Sequence, residues 1–192
     1  MGEHLAPALY DPDHVIRPNH VLTAVMDVDG ELRAVQVRWG WSPIWSMGTR
    51  PPLTHLPLEI VMRSKVFKRM SNSGRTLVAV DGWFDTAIDH PVTGHSRFNY
   101  VRQRSTEPVY LAAVAQISES SSGCNGLVLV TQGGGGSAGS LRLLAFSDEH
   151  ALLWLDPELD WERARLLPSL DLSDRQRFEQ VTVSHRFGQK VR

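Results

Sequence analysis

The sequence predicts a single α+β domain over residues 1–192, with a largely antiparallel, barrel-like sheet and a few peripheral helices. Three observations carry that expectation. Short β-rich runs recur at even spacing with polar turns between them. Only three segments show helical spacing. Neither an internal repeat nor a long linker divides the 192 residues, a length that suits one large core.

The elements follow in chain order. Residues 21–26 and 31–39 are β-rich runs separated by Asp29-Gly30, and the second alternates as Leu32, Ala34, Val35 and Val37 with polar partners, which reads as a hairpin. Trp39-Gly40-Trp41-Ser42-Pro43-Ile44-Trp45 then places three tryptophans in seven residues on a path broken by glycine and proline, an aromatic-rich loop. Pro51, Pro52 and Pro57 keep the next stretch extended. Residues 59–70 take helical spacing, with Ile60, Val66, Phe67 and Met70 on one side and Lys65, Lys68 and Arg69 on another. After Ser71-Asn72-Ser73-Gly74, residues 76–80 read as a buried strand that ends at Asp81-Gly82-Trp83-Phe84-Asp85. Further strands are expected at 98–102, 109–117, 126–131 and 141–146. Ser147-Asp148-Glu149-His150 reads as a helix start, with Ser147 as N-cap and acids in the first turn, and a short helix is expected over 156–166. A last strand at 178–183 precedes a basic tail. Residues 133–140 are almost all Gly and Ser; they offer too few side chains for a site and lack the lysine and hydroxyl of a phosphate loop, so they read as a surface loop.

Composition narrows function. The lone cysteine, Cys124, excludes a disulfide-stapled module and a cysteine-rich zinc site, and no metal or cofactor is expected. No run of about 18 apolar residues occurs, and Met1-Gly2-Glu3-His4 does not open a secretory signal, so a cytoplasmic, intracellular protein without a membrane partner is expected. Twenty Lys+Arg against 21 Asp+Glu give a net charge of -1, which excludes polyanion binding through bulk charge but allows a local patch. Arg63, Lys65, Lys68, Arg69 and Arg75 form such a patch, 13 residues without an acid, and the tail residues Arg186, Lys190 and Arg192 would extend it. The neighbouring loop offers Trp41 and Trp45 as stacking surfaces for unpaired bases, so the pattern combines the two terms that single-stranded DNA binding needs.

Four segments together resemble the SRAP (SOS-response-associated peptidase) family: Trp39-Gly40-Trp41-Ser42-Pro43-Ile44-Trp45, Ser64-Lys65-Val66-Phe67-Lys68, Asp81-Gly82-Trp83-Phe84-Asp85 and Pro108-Val109-Tyr110-Leu111-Ala112-Ala113-Val114. Leu127-Val128-Leu129-Val130-Thr131 and Val183-Ser184-His185-Arg186-Phe187-Gly188-Gln189 continue the match, which covers about residues 15–190. The resemblance implies a domain that binds single-stranded DNA and attaches to abasic sites through an N-terminal cysteine, whose α-amine forms a Schiff base and whose thiol closes a thiazolidine. It also implies an asparagine, a glutamate and a histidine that shape the pocket and move protons.

This chain departs from that pattern at each of those positions. Gly2 stands where the cysteine would, His55 at the asparagine, Pro57 at the arginine of the same segment, and Asp85 at the glutamate, followed by Thr86 instead of tryptophan. The histidine-bearing loop aligns with residues 133–140, which hold no histidine; of the asparagine segment only Glu59 is kept. The first expectation is therefore a divergent SRAP-domain protein of the DNA-damage response that binds single-stranded or abasic-site DNA without the covalent chemistry. The second is a SRAP fold used as a protein-interaction module. A third is an enzyme whose Gly2 α-amine, with an ordinary pKa near 8, forms a reversible imine with abasic sites. Asp85 reads as a general acid or base, or as a turn-forming strand end; His55, between Leu53 and Leu56, as a proton shuttle or a satisfied, partly buried histidine; Glu59 as a pocket acid or a helix starter.

Overall fold

The strand Val109–Gln116 shows how the molecule is layered: its first seven residues are all buried, because it has strands on both sides and packing on both faces. Tyr110, Ala112 and Val114 point into one core and Val109, Leu111, Ala113 and Ala115 into the other. A computed structural model describes residues 15–46, 48–65, 67, 74–88, 96–117, 125–132 and 142–183.

The elements are β1 (Val21–Val28), β2 (Glu31–Arg38), β3 (His55–Pro57), α1 (Leu58–Arg63), β4 (Arg75–Val80), β5 (Gly82–Ile88), β6 (Ser96–Gln103), β7 (Val109–Gln116), β8 (Gly126–Gln132), β9 (Arg142–Leu143), β10 (Ala145–Phe146), α2 (Asp148–Leu155), α3 (Trp161–Ala164) and β11 (Phe178–Val183). The large sheet runs β2-β1-β4-β7-β8-β3, with β10 on β7 and β9 on β8; a second sheet runs β11-β6-β5. Pairing is antiparallel everywhere except β3 with β8. One core lies between the large sheet and the helices, the other between the large sheet and residues such as Val101, Trp83 and Phe178 of the small one. Each fully buried Val or Leu contributes about 1.5–3 kcal/mol, so these two cores hold the layers together.

The antiparallel α+β expectation holds, but the sheet does not close into a barrel. Among the described residues the chain leaving β2 pairs with β8 in one isolated bridge, Trp39–Leu127, and not in a ladder. Other boundaries move for local reasons. Of the segment expected to be helical over 59–70, the described residues form α1, which ends where Ser64 turns to an extended ψ of 124°; residues 66 and 68–70 lie outside the described residues. Its buried side is Leu58 and Val61, while Ile60 is 48% exposed. The strand expected to end at Asp81-Gly82-Trp83-Phe84-Asp85 instead bends at Asp81 and restarts as β5, so Asp85 sits inside a strand. Glycine is required at that restart: a Cβ on Gly82 would stand 2.5 Å from the Val101 carbonyl oxygen. Expected strand 141–146 is two pairs, β9 and β10, interrupted at Leu144, and the expected 156–166 helix is the single turn α3, capped by Asp160 accepting from the Arg163 N–H at 2.8 Å. Ser147 does sit at the N-cap of α2, but its hydroxyl lies 3.2 Å from His150 Nδ1 and makes no capping bond to the backbone.

α2 is pinned by Trp154, fully buried, whose Nε1–H donates to the Thr76 carbonyl at 3.0 Å. Trp161 of α3 packs edge-on against it at 5.6 Å.

Candidate nucleic-acid interface

The tryptophan-rich loop is built by backbone bonds at its two ends. Trp39 N–H donates to the His20 carbonyl (2.9 Å), Gly40 N–H to the Leu127 carbonyl (2.8 Å), and Trp41 and Leu53 exchange two bonds of 2.9 and 2.8 Å. The close approach of loop to sheet needs two glycines, since a Cβ on Gly126 would overlap the Gly40 carbonyl and Gly40 itself has φ +130°. Within the loop a 3₁₀ turn, Ile44–Ser46, is closed by Ser46 N–H donating to the Pro43 carbonyl (2.9 Å). The Ser46 carbonyl then accepts from Thr49 N–H (3.1 Å), Thr49 Oγ1–H (2.9 Å) and Arg50 N–H (3.3 Å). The loop is thus a self-bonded scaffold.

That scaffold sends its tryptophans in opposite directions. Trp41 is 3% exposed, packs on Phe67 with ring centroids 5.2 Å apart, and donates from Nε1 to Gln116 Oε1 at 2.9 Å. It is a core residue, and the expectation that it stacks on a base is corrected. Trp45 is 70% exposed.

Beside Trp45 in the chain, a cleft of about 440 Å³ is lined by Arg38 and Arg50 with Ser42, Gly48, Thr49 and the Pro51-Pro52 pair. Among the described residues no carboxylate lines it. Among the described residues neither arginine is ion-paired; Arg38 Nη2 donates to the Asn125 carbonyl at 3.5 Å. An uncompensated pair of guanidinium groups attracts anions.

The remaining expected site residues fall in separate places. His55 pairs with Leu129, so its side chain shares the face of β8 that points toward the small sheet. It stands edge-on to Trp39 at 5.6 Å, with Nδ1 2.9 Å from Thr54 Oγ1. Burial lowers its pKa below the ordinary 6.5 and favours the uncharged imidazole. Asp85 is exposed on β5 opposite Asn99, on the strand face it shares with Trp83.

Glu59 and Arg63 line a different hollow of about 610 Å³ between α1 and α3, whose wall also carries Glu162 and Arg165. Arg165 is held by Glu162 at 2.9 Å. Lys65 is exposed just past α1. Arg75 leaves the expected basic surface altogether: it is 7% exposed, lies over the Trp161 ring at 5.4 Å and donates to the Asp156 carbonyl. Gly2, Lys68, Arg69, Cys124, residues 133–140 and the tail residues Arg186, Lys190 and Arg192 lie outside the described residues. Among the described residues no group of three His, Cys, Asp or Glu could hold a metal ion, and no helix is long and apolar enough to cross a membrane.

Reading the sequence missed Arg38 and Arg50. They are 12 positions apart and stand in no charge cluster; their one signal is that they bracket the tryptophan motif, as Arg38-Trp39 and Arg50-Pro51.

Residues 3–190 match the sequence model of the SOS response associated peptidase (SRAP) family. The chain is 24% identical over 188 residues to the abasic site processing protein YedK of Escherichia coli (strain K12), covering 93% of this chain and 82% of YedK. Among solved structures, a phage-related protein of Bordetella bronchiseptica superposes with a TM-score of 0.71 at 23% identity, covering 88% of this chain and 81% of that one. A protein of Bacteroides thetaiotaomicron gives 0.63 at 14% identity, covering 86% and 74%. These likenesses show a shared fold.

Proposed function

Because the chain belongs to the SOS response associated peptidase (SRAP) family, we propose that it acts on damaged DNA, binding single-stranded or abasic-site DNA without a covalent link. The name of YedK, an abasic site processing protein, supports the DNA side of this reading. The observation that carries the binding is Trp45, 70% exposed on a self-bonded loop that also holds a cleft with two arginines and, among the described residues, no acid. An indole presented this way can take an unpaired base, worth about 1–3 kcal/mol per stacked base, while the arginines meet the phosphates. The noncovalent part rests on the residues: His55 and Asp85 stand where the resembled asparagine and glutamate would, and Cys124, the one cysteine among the 192 residues, lies inside the chain.

The test is anisotropy of a labelled single-stranded oligonucleotide, with and without one abasic site, followed by borohydride treatment. Saturable binding that weakens with salt and leaves no borohydride-trapped band is expected. A trapped band would mean that an amine, Gly2 foremost, forms an imine. No binding at low salt would leave the fold as a protein-interaction module.

A further inference from the structure

We propose that the hollow between α1 and α3 seats an amphipathic helix of a protein partner, with an apolar ridge flanked by acids and bases in equal number. It is independent of the DNA-binding reading and uses none of the same residues. Its first support is an apolar floor under an open mouth. Leu58 and Leu144 are buried at the bottom, where they join the helix-side core, and Met62 and Trp161 form the sides. Leu166 stands at the rim, 73% exposed, the highest value for a large apolar side chain among the described residues. A buried floor that runs out to an exposed leucine is a surface on which an incoming apolar side chain leaves water. At about 610 Å³ the hollow lies within the range of sites that enclose a ligand.

The second support is the charge pattern, which selects the occupant. One wall carries Glu59 and Arg63 of α1, four residues apart, and the other Glu162 of α3 and Arg165 at its C-cap, three apart. These are the spacings at which a helix sets one side chain above another, so each wall presents one acid and one base a turn apart. A third helix laid between the walls matches them when each of its flanks carries a base and an acid one turn apart. The four wall charges sum to zero, which favours a balanced helix over a polyanion or a polybasic segment. The third support is that the aromatic wall is set in advance. Trp161 is held edge-on by the buried Trp154 at 5.6 Å and by the Arg75 guanidinium, 5.4 Å over its ring; Arg75 is itself buried and bound to the Asp156 carbonyl. A preset groove loses little entropy on binding, and the unbranched Met62 opposite adapts to the ridge that enters.

The test measures anisotropy of a labelled, end-capped helical peptide whose leucines recur at i, i+4 and i+7 and whose flanks each carry one lysine and one glutamate. Its controls are a scrambled peptide of the same composition and versions with only lysine or only glutamate on the flanks. The full chain should bind the balanced peptide saturably and each control at least about tenfold more weakly. Leu166→Asp should weaken the balanced peptide about tenfold, and Arg33→Gln, on β2, should change nothing. Arg63→Glu together with Arg165→Glu makes the walls wholly acidic and should move the preference to the lysine-flanked peptide, a reversal that lost folding cannot produce. The seat is overturned if no peptide binds at up to about 1 mM, if the scrambled peptide binds as tightly, or if Leu166→Asp leaves affinity unchanged. It is overturned as well if an oligothymidylate displaces the peptide, which would assign the hollow to nucleic acid. A concentration-dependent dimer of the wild type, seen by sedimentation and lost in Leu166→Asp, would make a second copy the occupant and overturn it too.

Discussion

Two hollows of comparable size differ in what their walls carry. Among the described residues the cleft of the 39–52 loop, about 440 Å³, carries two arginines and no acid, and the groove between α1 and α3, about 610 Å³, carries Arg63 and Arg165 beside Glu59 and Glu162. The larger hollow is the weaker candidate for a polyanion, because its charges sum to zero and one of its arginines is already engaged by Glu162. The same contrast separates two tryptophans four residues apart, one spent on the core and the other left to solvent. Volume and residue type do not pick out an interface; uncompensated charge and exposure do.

The comparison breaks most visibly at the tryptophans. Trp41→Ala should cost about 3–5 kcal/mol of folding stability and lower the melting midpoint by roughly 6–20 °C, whereas Trp45→Ala should leave the midpoint almost unchanged. Calorimetry of the two variants checks this, and equal losses would mean that Trp45 is also structural. Next in size is the cleft: charge reversal at both Arg38 and Arg50 should reduce affinity for single-stranded DNA by at least about 100-fold, read by gel shift at low salt. Trp45→Ala should weaken the same binding by about tenfold without altering its salt slope, since stacking carries no charge.

A smaller effect concerns His55. Burial lowers its folded-state pKa below 6.5, so the unfolded chain takes up the proton first as pH falls. Stability is then complete above pH 6.5 and is lost as pH drops from 6.5 through the lower folded value. His55→Gln should remove that part of the pH dependence, measured by urea unfolding across this window. Smallest of all, Glu59→Gln and Arg165→Gln should shift DNA affinity by less than about twofold, since both residues line the hollow between α1 and α3 and neither lines the 39–52 cleft.

The strands were readable because burial on one or both faces leaves a pattern in the residues. β1 and β2 are β-rich runs on either side of Asp29-Gly30, and β7 is a continuous apolar run. Reading failed where a neighbour distant in sequence decides. Gly82 looks like a terminator, yet it continues the chain because Val101 and Tyr100 leave no room for a side chain. The stretch after Arg63 keeps helical spacing, but the backbone turns at Ser64 and Phe67 is used against Trp41. Arg75 belongs to a basic run in the sequence and to the core in the fold, where Trp161 and the Asp156 carbonyl hold it. The candidate interface was half legible. The tryptophan motif marks the loop, while the burial of Trp41 depends on Gln116 and Phe67, and the meeting of Arg38 with Arg50 depends on the loop folding back at Leu53.

The central claim, that Trp45 and the adjoining arginines form a noncovalent single-stranded DNA surface, is tested most directly by tryptophan fluorescence during titration with an unlabelled oligonucleotide, in wild type and in Trp45→Phe. The account predicts saturable quenching that weakens as salt is raised and that disappears when Trp45 is replaced. Quenching that persists unchanged in Trp45→Phe, or its absence in the wild type at low salt, would contradict it.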